Sequence, residues 1–113
     1  MDDGVYCEQF QRTVELIGSR WTASVLRALL GGIDHFSELR AAIPGLSDRM
    51  LAERLRELER EGIVERVVIP ETPVRIEYHL TEKGRALAPV MNAFVEWLQR
   101  WGDGAPAPLA GGH

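Results

Sequence analysis

The chain has 113 residues, 45% hydrophobic and 27% charged, which suits one globular domain and leaves little for a second. Its formal net charge of −4 argues against tight sequence-blind binding to nucleic acid, and its single cysteine excludes an intrachain disulfide and leaves a structural zinc site short of Cys or His donors. No apolar run approaches the roughly 18 residues of a membrane span, and the opening MDDGVYCEQF lacks the basic-then-apolar order of a secretory signal, so a soluble cytoplasmic protein without membrane contact is expected.

Phe10, Val14 and Ile17 recur at helical spacing and predict a first helix over about 7–17, interrupted by Gly18 and Ser19. Val25, Leu26, Leu29 and Leu30 form the stripe of a second helix from about Thr22 to Leu30, with Gly31 and Gly32 as a left-handed stop. FSELRAAI reads as a short third helix capped by Ser37, with Leu39, Ala42 and Ile43 inward and Pro44–Gly45 closing it. A fourth starts at Ser47 as N-cap with Asp48 at the positive end of the helix dipole, and Gly62 ends it. Leu51, Leu55 and Leu58 occupy one face of that helix, and Arg49, Ala52, Glu53 and Arg56 the opposite one.

Beyond Gly62 the period changes to two. IVERVVI and VRIEYHL predict two strands joined by a PETP turn, the second half-buried through Val74, Ile76, Tyr78 and Leu80, with Arg75, Glu77 and His79 alternating outward. Thr81 then caps a terminal helix over about 82–101, kinked at Pro89, whose wide apolar face carries Leu87, Met91, Phe94, Trp97, Leu98 and Trp101. The Gly-, Ala- and Pro-rich stretch 102–113 reads as a flexible tail.

This order is mainly α with a small β-hairpin, the plan of a winged helix-turn-helix domain over 1–101, with the helix-turn-helix core at about 22–61 and the wing at about 63–80. The major groove, about 12 Å wide, admits one helix, and the helix from Ser47 presents a polar stripe to it while its leucines pack inward. A hairpin with Arg75 on a strand and Thr72 and Pro73 at its tip suits phosphates or the adjacent minor groove.

As a set, Cys7, LIGSRWTASVLRALLGG, FSELRAAIPGLSDRMLAERLRELEREGIVER, the P…VRIEYHLTEKGRAL stretch and the late tryptophans resemble the HxlR-type regulators, relatives of the MarR group, over about residues 7–101. The resemblance implies a homodimeric transcription regulator in which the terminal helices, about 7–17 and 82–101, make the dimer contact, the helix from Ser47 reads the major groove and the hairpin acts as a wing. Phe10, Val14, Phe94, Trp97, Leu98 and Trp101 are then the expected dimer residues, a role that aromatics at helical spacing fill more often than a ligand pocket does. Arg49 and Ala52 stand where the family often carries Lys or Thr, which alters the expected base preference.

The segment from Ser37 to Arg75 holds seven Arg and eight acids, so it is no basic patch by count, and a strong salt dependence is expected of any DNA affinity. The expected DNA contacts are Ser37, Arg40, Ser47, Arg49, Ala52, Glu53, Arg54, Arg56, Thr72 and Arg75, on double-stranded DNA with a pseudo-palindromic operator. Salt bridges within the domain compete with this role at Arg40, Arg54 and Arg75. Internal pairing of all of Arg40, Arg49, Arg54 and Arg75 favours the alternative of a winged-helix protein-interaction module without DNA binding. A small-molecule or oxidant effector is compatible with the resemblance, and Cys7 is the candidate redox sensor, against an inert thiol; its acidic neighbours Asp2, Asp3 and Glu8 oppose the activating effect of a helix N-terminus. His35 and His79 lie far apart in sequence and His113 at the very end, so neither a metal site nor a cofactor is expected. No nucleophile, base and orienter set or phosphate-cradling glycine loop points to an enzyme.

Overall fold

The computed structural model describes residues 3–102, so Asp2 and the expected tail from 103 onward, His113 included, lie outside the described residues. The order of elements is α1 (Asp3–Gly18), α2 (Thr22–Leu30), α3 (Phe36–Ala42), α4 (Asp48–Arg60), β1 (Val64–Ile69), β2 (Arg75–Leu80), α5 (Glu82–Arg85) and α6 (Ala88–Trp101).

The core sits where α2, α3 and α4 converge. Val25, Leu26 and Leu29 from α2 meet Leu39 and Ile43 around α3, and Leu51, Leu55 and Leu58 from α4 close the layer, all buried. Ile63 and Val64 extend the core to the first strand, and Met91 brings in α6. Each fully buried leucine contributes about 1.5 to 3 kcal/mol of transfer free energy, an upper figure because the unfolded chain already buries part of this surface.

Helix ends follow local chemistry. The Ser47 hydroxyl accepts from the Met50 amide at 3.1 Å, so the expected cap of α4 is present. Gly32 (φ +101°) and Gly62 (φ +75°) adopt the left-handed conformation after α2 and α4. In each case the next amide reaches back five residues, Ile33 to the Ala28 carbonyl and Ile63 to the Leu58 carbonyl, which satisfies the last carbonyls of the helix. Trp21 precedes α2 with φ +76° and is the one non-glycine residue in that region among the described residues; its ring covers Gly45, where an added Cβ would lie 3.3 Å from it.

β1 and β2 pair antiparallel with Val64 opposite Leu80 and Ile69 opposite Arg75, and the Thr72–Pro73 bond at the tip is cis. On the other side of β2, His35 forms an isolated bridge to Glu77, and the Tyr78 amide donates to the Asp34 carbonyl at 2.8 Å. The linker between α2 and α3 thus acts as a short third strand that fixes the hairpin to the helical core.

Four local expectations are corrected. Ser37 does not cap α3: the N-cap is His35 and Ser37 lies within the first turn, because the chain is still extended in its bridge to β2 at His35. Ala42 is exposed, since α3 is a single short face held by Leu39 and Ile43. The terminal helix is two helices, with Thr81 capping α5 through the Gly84 amide; Pro89 lies in the first turn of α6, where its missing N–H costs no helical bond, and so starts a helix instead of kinking one. The outward-facing side of β2 is not all solvated, for Glu77 is among the buried residues.

The start of α5 is knitted to the end of α4. The Thr81 amide donates to the Ile63 carbonyl, its hydroxyl to the Gly62 carbonyl, and Lys83 Nζ to the Glu61 carbonyl. Gly84 allows that closeness, since a Cβ there would stand 2.2 Å from the Ile63 carbonyl oxygen. Gly84→Ala is expected to destabilise the domain by about 1 to 3 kcal/mol through backbone displacement, read as a lowered midpoint in urea unfolding.

Candidate nucleic-acid interface

The leucine stripe that anchors α4 determines what the helix offers to a partner. Arg49, Ala52, Glu53 and Arg56 follow at intervals of three, one and three on the opposite side, and Arg49 and Arg56 are exposed. The Arg49 side chain is 88% exposed, and its one ionic contact, Nε to Glu53 Oε2 at 3.6 Å, leaves the guanidinium in solvent. Ser47 uses its oxygen as an acceptor in the cap, which leaves the hydroxyl proton available to an external acceptor. Ser37 is exposed on α3, and Thr72 is exposed at the hairpin tip.

All four arginines that distinguish the two sequence readings have an acidic partner, the outcome that by itself counts toward the protein-interaction module. They differ in what the partner leaves free. Arg40 Nε donates to the Leu46 carbonyl at 2.9 Å and lies 3.1 Å from Asp48, stapling the turn between α3 and α4, yet half of its side chain is accessible. Arg54 is structural: only 18% exposed, it donates to the Arg20 carbonyl and to Glu57 Oε2, both at 3.2 Å, tying α4 to the entry of α2. Glu53 stands between Arg49 and Arg54, so an acid lies within the presented stripe.

At the base of the wing, Arg75 places Nε and Nη2 on Glu77 Oε2 at 2.8 and 2.5 Å, while Glu77 Oε1 is 2.7 Å from His79 Nε2. These hydrogen bonds, that from Arg75 first and that from His79 next, hold the buried Glu77 carboxyl below its ordinary range, and Glu77 raises the Arg75 guanidinium above its own. Sequence reasoning singled out Arg75 and overlooked this network. The available signal was the spacing of Arg75, Glu77 and His79 at i, i+2 and i+4, which puts all three on one strand face; the partners Asp34 and His35 lie too far away in sequence to be paired with them by spacing.

Cys7 is a free, exposed thiol on α1. Phe10, Val14, Phe94 and Leu98 are exposed, and Trp97 and Trp101 remain 62% and 64% accessible, so the terminal helices carry an apolar aromatic surface that this single chain does not cover. A groove of about 240 Å³ lies between α1, the α4–β1 junction and α5, lined in part by Arg12, Leu16, Ile63, Lys83 and Leu87.

A helix pair that carries a third helix with a free polar stripe, followed by a hairpin bound to the same core, defines a winged helix-turn-helix protein. Residues 16–105 match the model of the HxlR-like helix-turn-helix family, and the chain belongs to that family. It is 50% identical over 103 residues to YvaP of Bacillus subtilis (strain 168), an uncharacterized HTH-type transcriptional regulator, covering 91% of this chain and 95% of that one. The reduced form of the transcriptional regulator YodB from B. subtilis superposes with a TM-score of 0.77 at 42% identity, over 85% of this chain and 94% of that one. The redox regulator HypR in its reduced form superposes with a TM-score of 0.78 at 36% identity, over 87% and 97%. The protein is therefore an HTH-type transcriptional regulator, not an enzyme.

The pairing pattern separates stability from surface chemistry. Arg54→Ala is expected to cost about 1 to 3 kcal/mol of folding stability, since it removes charge-assisted bonds from a mostly buried site, whereas Arg49→Ala stays within about 0.5 kcal/mol of wild type; parallel thermal melts decide this.

Proposed function

We propose that the protein is a sequence-specific DNA-binding regulator acting as a homodimer on a pseudo-palindromic operator. The observation that carries this reading is the stripe Arg49, Ala52, Glu53, Arg56 on α4, with both arginines exposed and Ala52 and Glu53 half-buried between them, opposite a fully buried leucine face in a chain of this family. In the proposed complex Arg49 reads base edges, Arg56 and Arg40 meet phosphates, and Ser47 and Ser37 donate to phosphates near the helix starts. Thr72 and Arg75 bring the wing to the flanking backbone. Ala52 offers its methyl to a thymine, and Glu53 accepts from a cytosine amine or orients Arg49. Arg54, proposed from sequence as a contact, acts instead through the placement of α4.

The dimer rests on the aromatic surface of the terminal helices. Phe10 and Val14 on α1 and Phe94, Trp97, Leu98 and Trp101 on α6 are all exposed large apolar side chains, and a second copy of the same helices is the self-complementary cover. Two α4 helices then meet successive major grooves about 34 Å apart. Among the described residues no helix is long and apolar enough to cross a membrane, and work on DNA implies a cytoplasmic location.

An enriched inverted motif is the expected result of selecting bound fragments from a random duplex library. Arg49→Ala is expected to weaken the best fragment by about 1 to 3 kcal/mol and to relax one position of the motif. No enrichment under either reducing or oxidising conditions contradicts DNA reading and favours the protein-interaction module.

A redox signal at Cys7 is the second part of the reading. The thiol is free and exposed, HypR is a redox regulator, and YodB has been crystallised reduced, diamide-treated and quinone-bound. With one Cys in the chain, oxidation yields either an intersubunit disulfide, in which two thiols lose two protons and two electrons to the oxidant, or a mixed disulfide with a small thiol. Treatment with diamide is expected to change both the mass at Cys7 and the affinity for the selected fragment, and Cys7→Ser to abolish the second change; a thiol still free with unchanged binding contradicts the role.

A further inference from the structure

The wing root holds a cluster that DNA binding does not use. Asp34 and His35, from the linker before α3, face Glu77 and His79 of β2, with Glu38 of α3 at the rim. Sequence separation argued against joining the two histidines in one site; the bridge between His35 and Glu77 overturns that argument by placing both around one carboxylate. The oxygens of Asp34 and Glu77 and the ring nitrogen of His79 all lie within 4.8 Å of one another.

We propose that Asp34, Glu77 and His79 bind one divalent transition-metal ion of the zinc type, with His35 as a positioning residue against Asp34. Donor chemistry, spacing and charge carry the assignment together. One imidazole with two carboxylates is a donor set that zinc and cobalt accept and that magnesium, which prefers oxygen and retained water, does not favour. Tetrahedral ligands at zinc bond lengths stand about 3.3 Å apart. His79 Nε2 is 2.7 Å from Glu77 Oε1 and 4.0 Å from Asp34 Oδ2, so an ion enters with side-chain shifts of less than about 1 Å. Arg75 occupies Glu77 Oε2 only, which leaves Oε1 on the side of His79.

Arg75 does not complete the cluster. Asp34 and Glu77 oppose a single guanidinium, and that guanidinium is bonded to Glu77, so the Asp34 carboxylate is left to a cation. The Glu77 side chain is only 8% exposed, which holds one donor in a fixed place, while Asp34 at 39% is open to an ion arriving from solvent. His35 gives an independent sign: its Nδ1 is buried 2.6 Å from Asp34 and 3.2 Å from Glu38, yet it makes a hydrogen bond to neither. An imidazole beside a ligating carboxylate orients it once that carboxylate turns to a metal. The alternative triad of Asp34, His35 and Glu38 is local in sequence and open at Glu38, whereas the proposed one joins the linker to the wing.

The test is a calorimetric titration of tag-free full-length protein carrying Cys7→Ser with Zn²⁺, Co²⁺ and Mg²⁺, together with the visible spectrum of the Co²⁺ form. One equivalent of Zn²⁺ or Co²⁺ with little response to Mg²⁺ is expected, with a rise in Tm of roughly 5 °C or more at saturation. Asp34→Asn and His79→Gln should each weaken binding at least about tenfold and change the Co²⁺ spectrum, while Glu38→Gln leaves both in place. Four results overturn the site: no saturable binding at micromolar metal, binding present in wild type but lost in Cys7→Ser, binding untouched by His79→Gln, or loss in Glu38→Gln alone. Circular dichroism of each variant separates loss of ligand from loss of fold, and His79, half exposed, is expected to tolerate replacement.

Discussion

Burial of Leu51, Leu55 and Leu58 against α2 and α3 leaves α4 with only one side to offer, and the rest of the molecule depends on that constraint. Rotation of the helix would expose a leucine at a cost of about 1.5 to 3 kcal/mol each, so the polar stripe is held in place by core packing and not by its own contacts. Ser47 fixes where the helix begins, Gly62 where it ends, and Arg54 fastens its middle to the carbonyl of Arg20. The presented residues therefore need no acidic partner to stay in position. That explains how Arg49 can remain almost fully exposed while Arg54, five residues on, is absorbed into the domain.

The wing obeys a similar division between placement and presentation. The Asp34 carbonyl, the bridge at His35 and the buried Glu77 hold the root of the hairpin, and its tip at Thr72 is free. Acids are distributed through both surfaces, with Glu53 beside Arg49 and Glu77 beneath Arg75. With a net charge of −4, the proposed complex is expected to have modest sequence-blind affinity, with geometry and base contacts supplying its selectivity. The unmet need for burial lies at the other end of the domain, on α1 and α6, where aromatic side chains remain in solvent.

The helices were legible because each buries one face at a clear period and ends on residues with a local reason to end it. α2 runs from Thr22 to Leu30 as its apolar stripe and glycine stop require, and the pairing of IVERVVI with VRIEYHL followed from alternation and the proline turn. Where tertiary contacts decide, sequence was less informative. Ser37 has the chemistry of a cap, but the extended chain ends at the bridge at His35, two residues before capping by Ser37 would require. Glu77 fits an outward alternation, and only the approach of the α2–α3 linker makes it buried. Charge counts over Ser37–Arg75 likewise could not tell the structural arginine at 54 from the exposed one at 49, because the difference lies in a carbonyl 34 residues away.

In the proposed complex the stripe of α4, with the wing tip beside it, is the surface that meets DNA. Backbone amide shifts followed by NMR, while the protein is titrated with a duplex carrying its selected motif, map that surface residue by residue. The largest changes are expected over residues 47–56 and 72–75, with the buried leucine face of α4 shifting less. Changes confined to α1 and α6, or none at α4 when the duplex saturates the protein, would contradict it.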